Sequence, residues 1–407
     1  MAATLTYEYS VRNRAGKIVS GKLEAESQAV VVQKLKTMGY APISITQSDA
    51  GMKKEIKIPG FGEKVKLKDL AIMSRQFATM VSSGLSLLRS LSILAEQTEN
   101  KKLRETLREV RNDVEAGNAL SSALAKHVTV FPPLFVHMTR AGEIGGFLDE
   151  VMLQIAANYE AEVKLRGKVK SAMTYPVVVF IMAMLAVTGM LLFIVPVFAG
   201  LFKTLGGTLP APTRILVAMS TILKYGAPFI FVGLIVGFFV WNRIKRKESV
   251  RNIVDPIKLK IPVFGLLFQK IAIARFTRNL GTMMQSGVPI LQSLNIVAET
   301  TGNMVLTHAV NDIQDSVRNG ESLTSPLAEH SVFPPMVVQM MAVGEETGAL
   351  DTMLHKISQF YDEDVEATTE QLTALIEPIM IAILGGIIGS MIIALYMPIF
   401  KIFDLIK

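Results

Sequence analysis

Cysteine is absent from all 407 residues, which excludes disulfides and thiolate chemistry. Histidine is scarce, and the five present (His127, His137, His308, His330 and His355) follow no metal-ligand spacing. His127 and His330 stand in nearly equivalent places before two "VFPP" runs, which points to a loop or packing role. No Gly-x-Ser-x-Gly elbow occurs. No catalytic, cofactor-binding or metal-binding constellation is legible, and the chain is expected not to be an enzyme. The start, "MAATLTYEYSVRNRAGK", lacks an apolar core of signal-peptide type, so the N-terminus is expected to stay in the cytoplasm.

Charge is missing from two long stretches, Val177–Phe202 and Pro378–Phe400. Both are long enough to cross a bilayer, for which about 20 apolar residues suffice. Gly226–Trp241 is shorter, but reaches spanning length if it begins near Ile215 and Lys224 snorkels. These stretches account for the mean hydropathy of +0.39. The net charge of +7 does not argue for nucleic acid, because the bases flank the apolar stretches. "KLRGKVK" (Lys164–Lys170) precedes the first and "RIKRK" (Arg243–Lys247) follows the second. The positive-inside rule then puts both flanks in the cytoplasm, leaving a loop near Gly206–Thr213 and the tail Lys401–Lys407 outside.

Self-similarity decides the architecture. "RQFATMVSSGLSLLRSL" (Arg75–Leu91) returns as "RNLGTMMQSGVPILQSL" (Arg278–Leu294), 203 positions later. Leu103, Leu107, Val110 and Val114 return as Leu306, Val310, Ile313 and Val317. From "VFPP" onward the displacement is 202: Tyr159 pairs with Tyr361, Pro176 with Pro378, and Pro196 with Pro398. Each copy therefore holds a helical domain followed by a transmembrane helix. The unpaired middle span returns the chain to the same side.

Apolar positions such as Leu70, Met73, Phe77, Met80 and Val81 form one helical stripe. Gly84, Gly117 and their copies end such stripes as caps, and each domain reads as a bundle of roughly six helices. Near the start, "TLTYEYSVR" and "KIVSGKLEA" flank "NRAG" as a hairpin, Ser27 caps "QAVVVQKLKTMG", and "APISI" is extended. The expected layout is an α/β module at 1–47, a flexible linker at 48–66, helical domains at 67–170 and 243–376, and transmembrane helices at 177–202, 215–241 and 378–400. The fold class is a mainly α-helical polytopic membrane protein with two tandem homologous cytoplasmic helical-bundle domains.

The run "KVKSAMTYPVVVFIMAMLAVTGMLLFIVP" (Lys168–Pro196) resembles the signature of the type II secretion F family, the inner-membrane platform proteins of type II secretion and type IV pilus assembly. Lys168, Tyr175, Pro176 and Pro196 carry that likeness, with Val169, Ala172, Met173, Val179, Ala183, Met190, Ile194 and Val195. In the second copy Glu370 replaces Lys168 and Glu377 replaces Tyr175, so the copies are expected to meet different partners. The resemblance extends over essentially the whole chain. It implies a non-enzymatic platform that couples a hexameric cytoplasmic ATPase to incorporation of pilin or pseudopilin membrane helices into a filament. It further implies contacts with other inner-membrane assembly proteins, and a homo-oligomer is expected. A transporter subunit and a membrane-anchored scaffold or regulator are the alternatives.

Three features remain. "GEIGGFLD" (Gly142–Asp149) echoes as "GEETGALD" (Gly344–Asp351). It carries Glu143 or Glu345 where a phosphate loop needs lysine, so it is read as a turn between helices rather than a nucleotide site. Gly142, Glu143, Gly146, Asp149, Gly344, Glu345, Gly348 and Asp351 serve that turn, or also touch a partner. Asp362, Glu366 and Glu370 fall one helical turn apart. They are a solvated face, a dock for a basic partner, or weak candidates for a metal. Gly385, Gly386 and Gly389 suit close packing, within the chain or on another helix. Pro196 and Pro398 are expected to kink or end their helices, and Glu377 is expected near a helix N-terminus at the interface.

Overall fold

The computed structural model describes residues 5–12, 18–25, 28–37, 40–48, 64–204, 209–245 and 247–405. They belong to two compact units, 1–62 and 63–407. In the first, β1 (Leu5–Arg12), β2 (Ile18–Ala25) and β3 (Ala41–Ser48) form a sheet of order β2-β1-β3, antiparallel throughout. Helix α1 (Gln28–Thr37) closes the core of Tyr7, Ala25, Val31 and Leu35. Gly21 faces Tyr9 across the β1–β2 pair, and a Cβ there would stand 2.6 Å from the tyrosine oxygen. The "NRAG" turn, Ser27 and positions 49–63 of the expected linker lie outside the described residues.

The second unit opens with a bundle of α2 (Leu67–Ser82), α3 (Leu87–Gln97), α4 (Lys101–Glu115), α5 (Leu120–Ala125), α6 (Pro133–Gly145) and α7 (Leu148–Gly189). Ahead of Leu67, Val65 packs on the core and Asn100 donates to the Lys64 carbonyl, so the last residues of the expected linker belong with the bundle. After α7 come a π-helical turn at Met190–Ile194, α8 (Val195–Thr204), α9 (Ala211–Ile244) and α10 (Glu248–Lys260). The second copy follows as α11 (Phe264–Gln285), α12 (Ile290–Thr300), α13 (Met304–Arg318), α14 (Thr324–Glu329), α15 (Pro335–Thr347) and α16 (Leu350–Leu405).

Local chemistry explains the boundaries. Gly84, Gly117, Gly287 and Gly320 all take positive φ just past their helices, where a Cβ would be strained. Asn100 accepts from the Leu103 amide and caps α4, and Pro133 and Pro335 occupy the first turn of α6 and α15, where a missing N–H costs nothing. The apolar stripes of both copies merge in one core, which holds Phe77, Leu107 and Phe135 with Phe276, Val310 and Leu354.

Among the described residues three helices are long and apolar enough to cross a membrane, so this is a polytopic membrane protein. The first and third are not separate from the bundles. α7 runs unbroken through 170–177 and α16 through 376–378, with Pro176 and Pro378 inside. A proline removes one ladder bond, and the turns on either side hold the helix together. At 1.5 Å per residue the 56 residues of α16 extend about 84 Å, so well over half lies outside a hydrocarbon core of about 30 Å.

Expectations change at Glu377, Pro398, Thr213 and the glycines of the third span. Glu377 sits mid-way along α16, not near a helix N-terminus. Pro398 does not end its helix, which continues to Leu405. Pro196 follows the π-helical turn, whose wider ladder relieves the clash between its ring and the preceding turn. Thr213 belongs to α9 rather than a loop, and its buried hydroxyl donates to the Ala394 carbonyl across two spans. That bond accompanies a cluster of Leu191, Val195, Leu216, Met391, Ala394 and Leu395. Packing of Gly385, Gly386 and Gly389 within the chain is overturned, because a Cβ on any of them would meet nothing within 4 Å.

Candidate functional site: the seam between the bundles

The paired turns resolve into distinct roles. Gly146 and Gly348 adopt the left-handed conformation, at φ 76° and 69°, that stops α6 and α15. Gly142 and Gly344 lie inside those helices and permit close approach: an added Cβ would stand 3.1 Å from Leu148 Cα and 2.9 Å from Leu350 Cα. Asp149 and Asp351 fall in the first turns of α7 and α16, where negative charge complements the helix dipole.

Glu143 and Glu345 turn inward. Glu143 accepts from the Leu120 amide at 2.6 Å, the Ser121 amide at 3.1 Å and the Ser121 hydroxyl at 2.7 Å. Glu345 accepts from the Leu323 amide at 2.7 Å and from the Ser322 and Thr324 hydroxyls at 2.8 and 3.2 Å. Each glutamate thus caps, from about 22 residues away, a short helix whose own N-cap residue makes no side-chain cap. Glu143→Ala is expected to destabilise the first bundle by about 2 kcal/mol, from a lost cap and amides left without an acceptor. An unchanged thermal melt of the full chain in detergent would contradict it. Ile144, between these glycines, is 82% exposed.

The acidic run is engaged by cations. Asp362 pairs with Arg278, Asp364 with Lys270 at 2.8 Å, and Glu366 with Lys168. Asp362 turns to α11 and Glu366 to α7, so the aligned carboxylates Asp362, Glu366 and Glu370 do not converge as ligands. Among the described residues no group of three or more His, Asp or Glu side chains is arranged to hold a metal. Lys168 and Glu366 join α7 to α16 just before both enter the apolar region. Beyond them, Tyr175 and Pro176 share a cleft with Thr373, Glu377 and Leu384, so the positions that differ between the copies face each other.

The seam proper is α7 of the first copy running antiparallel along α11 of the second. Gln154 accepts from the Ser286 hydroxyl, and Asn158 donates to Asn279 at 3.2 Å and Thr282 at 3.3 Å. At the next turn Glu162, 11 % exposed, meets Arg275 at 2.6 Å, Arg166 at 2.6 Å and Arg278 at 3.7 Å. Burial lowers the Arg275 pKa from its ordinary value, and Glu162 opposes that shift. Arg278 also reaches Asp362, so one connected set of charges ties the last helix of each copy to α11. None of Glu162, Arg275 and Asn158 stands out in the sequence. The repeat signals only the neighbouring pair, aligning Arg75 with Arg278 and Glu160 with Asp362; Arg75 and Glu160 pair at 2.5 Å.

The sequence has known relatives. The sequence profile described as "Type II secretion system (T2SS), protein F" matches residues 73–196 and again 276–398, and the profile for that protein's N-terminal domain matches 1–46. The chain is 43% identical to the type IV pilus assembly protein PilC of Thermus thermophilus, covering 97% of this chain and 98% of that one. It is 41% identical to PilC of Myxococcus xanthus (98% and 95% covered) and 31% identical to the type II secretion system protein F of Vibrio cholerae (98% and 99% covered). With two copies of the family domain in tandem and relatives matched from end to end, the chain belongs to the type II secretion system protein F family.

Proposed function

We propose that this chain is the inner-membrane platform of a type IV pilus assembly machine. The observation that carries the reading is end-to-end similarity at 43 and 41% to proteins named for type IV pilus assembly. Type II secretion is the second reading, supported by relatives at 32 and 31%. Both helical bundles and the N-terminus lie in the cytoplasm and the C-terminal tail outside, as the bases at Lys164–Lys170 and Arg243–Lys247 support. The bundles meet a hexameric ATPase, the spans meet pilin helices and other inner-membrane assembly proteins, and the platform is a homo-oligomer. Gly385, Gly386 and Gly389, open to another chain, suit a helix contact in that assembly.

The continuous helices supply a physical route for the coupling. From the turn at Leu148 to Tyr175 is about 40 Å of unbroken α7, so a displacement imposed on the bundle is carried into the bilayer without a hinge. Deleting the gene should abolish surface filaments while secreted enzymes persist. Loss of secretion with filaments intact would favour the second reading, and no change in either would refute both.

A further inference from the structure

Among the described residues helix α10 has no counterpart in the first copy, and three residues separate it from the end of α9. Its inner face is fixed by Asp255, which is 2% exposed. That carboxylate accepts from the Met304 amide at 3.1 Å, capping α13, and holds Lys258 at 2.8 Å and Arg251 at 3.6 Å. Ile253 and Ile257 lie two residues to either side of Asp255, each about 200° around the helix, and therefore on the opposite face. They are 65% and 57% exposed.

The apolar surface continues past the helix through Ile261, Val263 and Leu266, all exposed. The corner is tightly built. Val263 holds φ 73°, strained for a β-branched residue, and Gly265 leaves no room for a Cβ beside the Leu259 carbonyl. Its level in the molecule follows from Leu267, next to Leu266, which packs with Leu165 and Leu372 where α7 and α16 approach their apolar stretches. Arg243, Lys245 and Lys247 stand exposed before α10, and Lys260 at its end.

An apolar face at the level of membrane entry, bracketed by bases and continuous with a spanning helix, has the character of an interfacial amphipathic surface. We propose that α10 and the Ile261–Leu266 corner lie on the cytoplasmic leaflet, isoleucines among the acyl chains and lysines at anionic headgroups. The second bundle would then rest on the bilayer through this surface as well as through its spans. The leaflet named rests on the cytoplasmic placement above, but bilayer contact itself can be read in either orientation.

Because the chain has no cysteine, single thiols can be placed at will. Ile253→Cys, Ile257→Cys and Leu266→Cys, each carrying an environment-sensitive fluorophore, would be read in the full chain in phosphatidylethanolamine–phosphatidylglycerol vesicles. Ile144→Cys, on α6 beside the end of α7 farthest from the membrane, is the control. Nitroxide-bearing lipids should quench the three sites several-fold more than the control, and aqueous iodide should do the reverse. Lys247→Gln with Lys260→Gln, or phosphatidylcholine vesicles, should weaken the lipid quenching. Iodide access equal to that of the control would overturn the proposal. Protection from both quenchers would overturn it too, assigning the face to a protein partner or a second copy. Either failure leaves the pilus-assembly reading to its own test, filament formation.

Discussion

Glu162→Ala is expected to destabilise the protein by about 3–5 kcal/mol, whereas Glu160→Ala, two residues away on the same helix, should cost no more than about 1 kcal/mol. The contrast rests on burial. The Arg75–Glu160 pair is bidentate, but its side chains are 41% and 42% exposed, so solvent screens it. Glu162 is 11% exposed and Arg278 only 7%; both charges have left water and depend on each other and on Arg275. Removing the glutamate leaves the buried Arg278 beside the partly buried Arg275, with Asp362 still paired to Arg278 alone.

Glu162→Gln keeps the shape and one acceptor but loses the charge, and should fall between wild type and alanine. Calorimetry of the full chain in detergent would read all three. The damage should localise, with amide exchange accelerating along α7 and α11 before it does in α3 and α4. Equal effects of the alanine changes at 160 and 162 would sink the claim that the seam is held by a buried charge set.

Much of this architecture was legible beforehand because it is written in short-range patterns. Spans follow from uncharged runs, helix ends from glycines needing positive φ, and the duplication from residues a fixed distance apart. What escaped depends on the third dimension. Glu143 capping a helix some 22 residues upstream has no local signature, since its partners are main-chain amides. The acidic run of α16 reads as a solvated face until α7 and α11 bring Lys168, Lys270 and Arg278 to it. Pro398 misled: it reads as a kink or an end, yet α16 passes through it, as α7 passes through Pro176 and α16 through Pro378, because one missing bond is a small loss beside a long run of intact ones.

The repeat also conceals an exchange that packing alone reveals. Phe131 and Phe333 are equivalent, and each has a ring neighbour, at 5.2 Å in the first copy and 5.4 Å in the second. In the first copy the neighbour is Phe135 of α6, and in the second it is Phe276 of α11. The residue equivalent to Phe135 is Val337, and the one equivalent to Phe276 is Met73, so large and small side chains have traded helices around the same ring. All four are buried. Phe135→Ala should therefore cost about 3–5 kcal/mol, by lost transfer energy and a cavity beside Phe131 and Tyr159. Phe135→Val should cost less, and Met73→Phe alone about 1–3 kcal/mol through overpacking.

Combined, Met73→Phe and Phe135→Val recreate the second copy's arrangement within the first. The pair should then be less destabilising than the sum of its members by more than about 0.5 kcal/mol, the margin within which uncoupled sites add. Additive losses would mean that the two copies fill their cores independently, and that the exchange around Phe131 and Phe333 is coincidence rather than compensation.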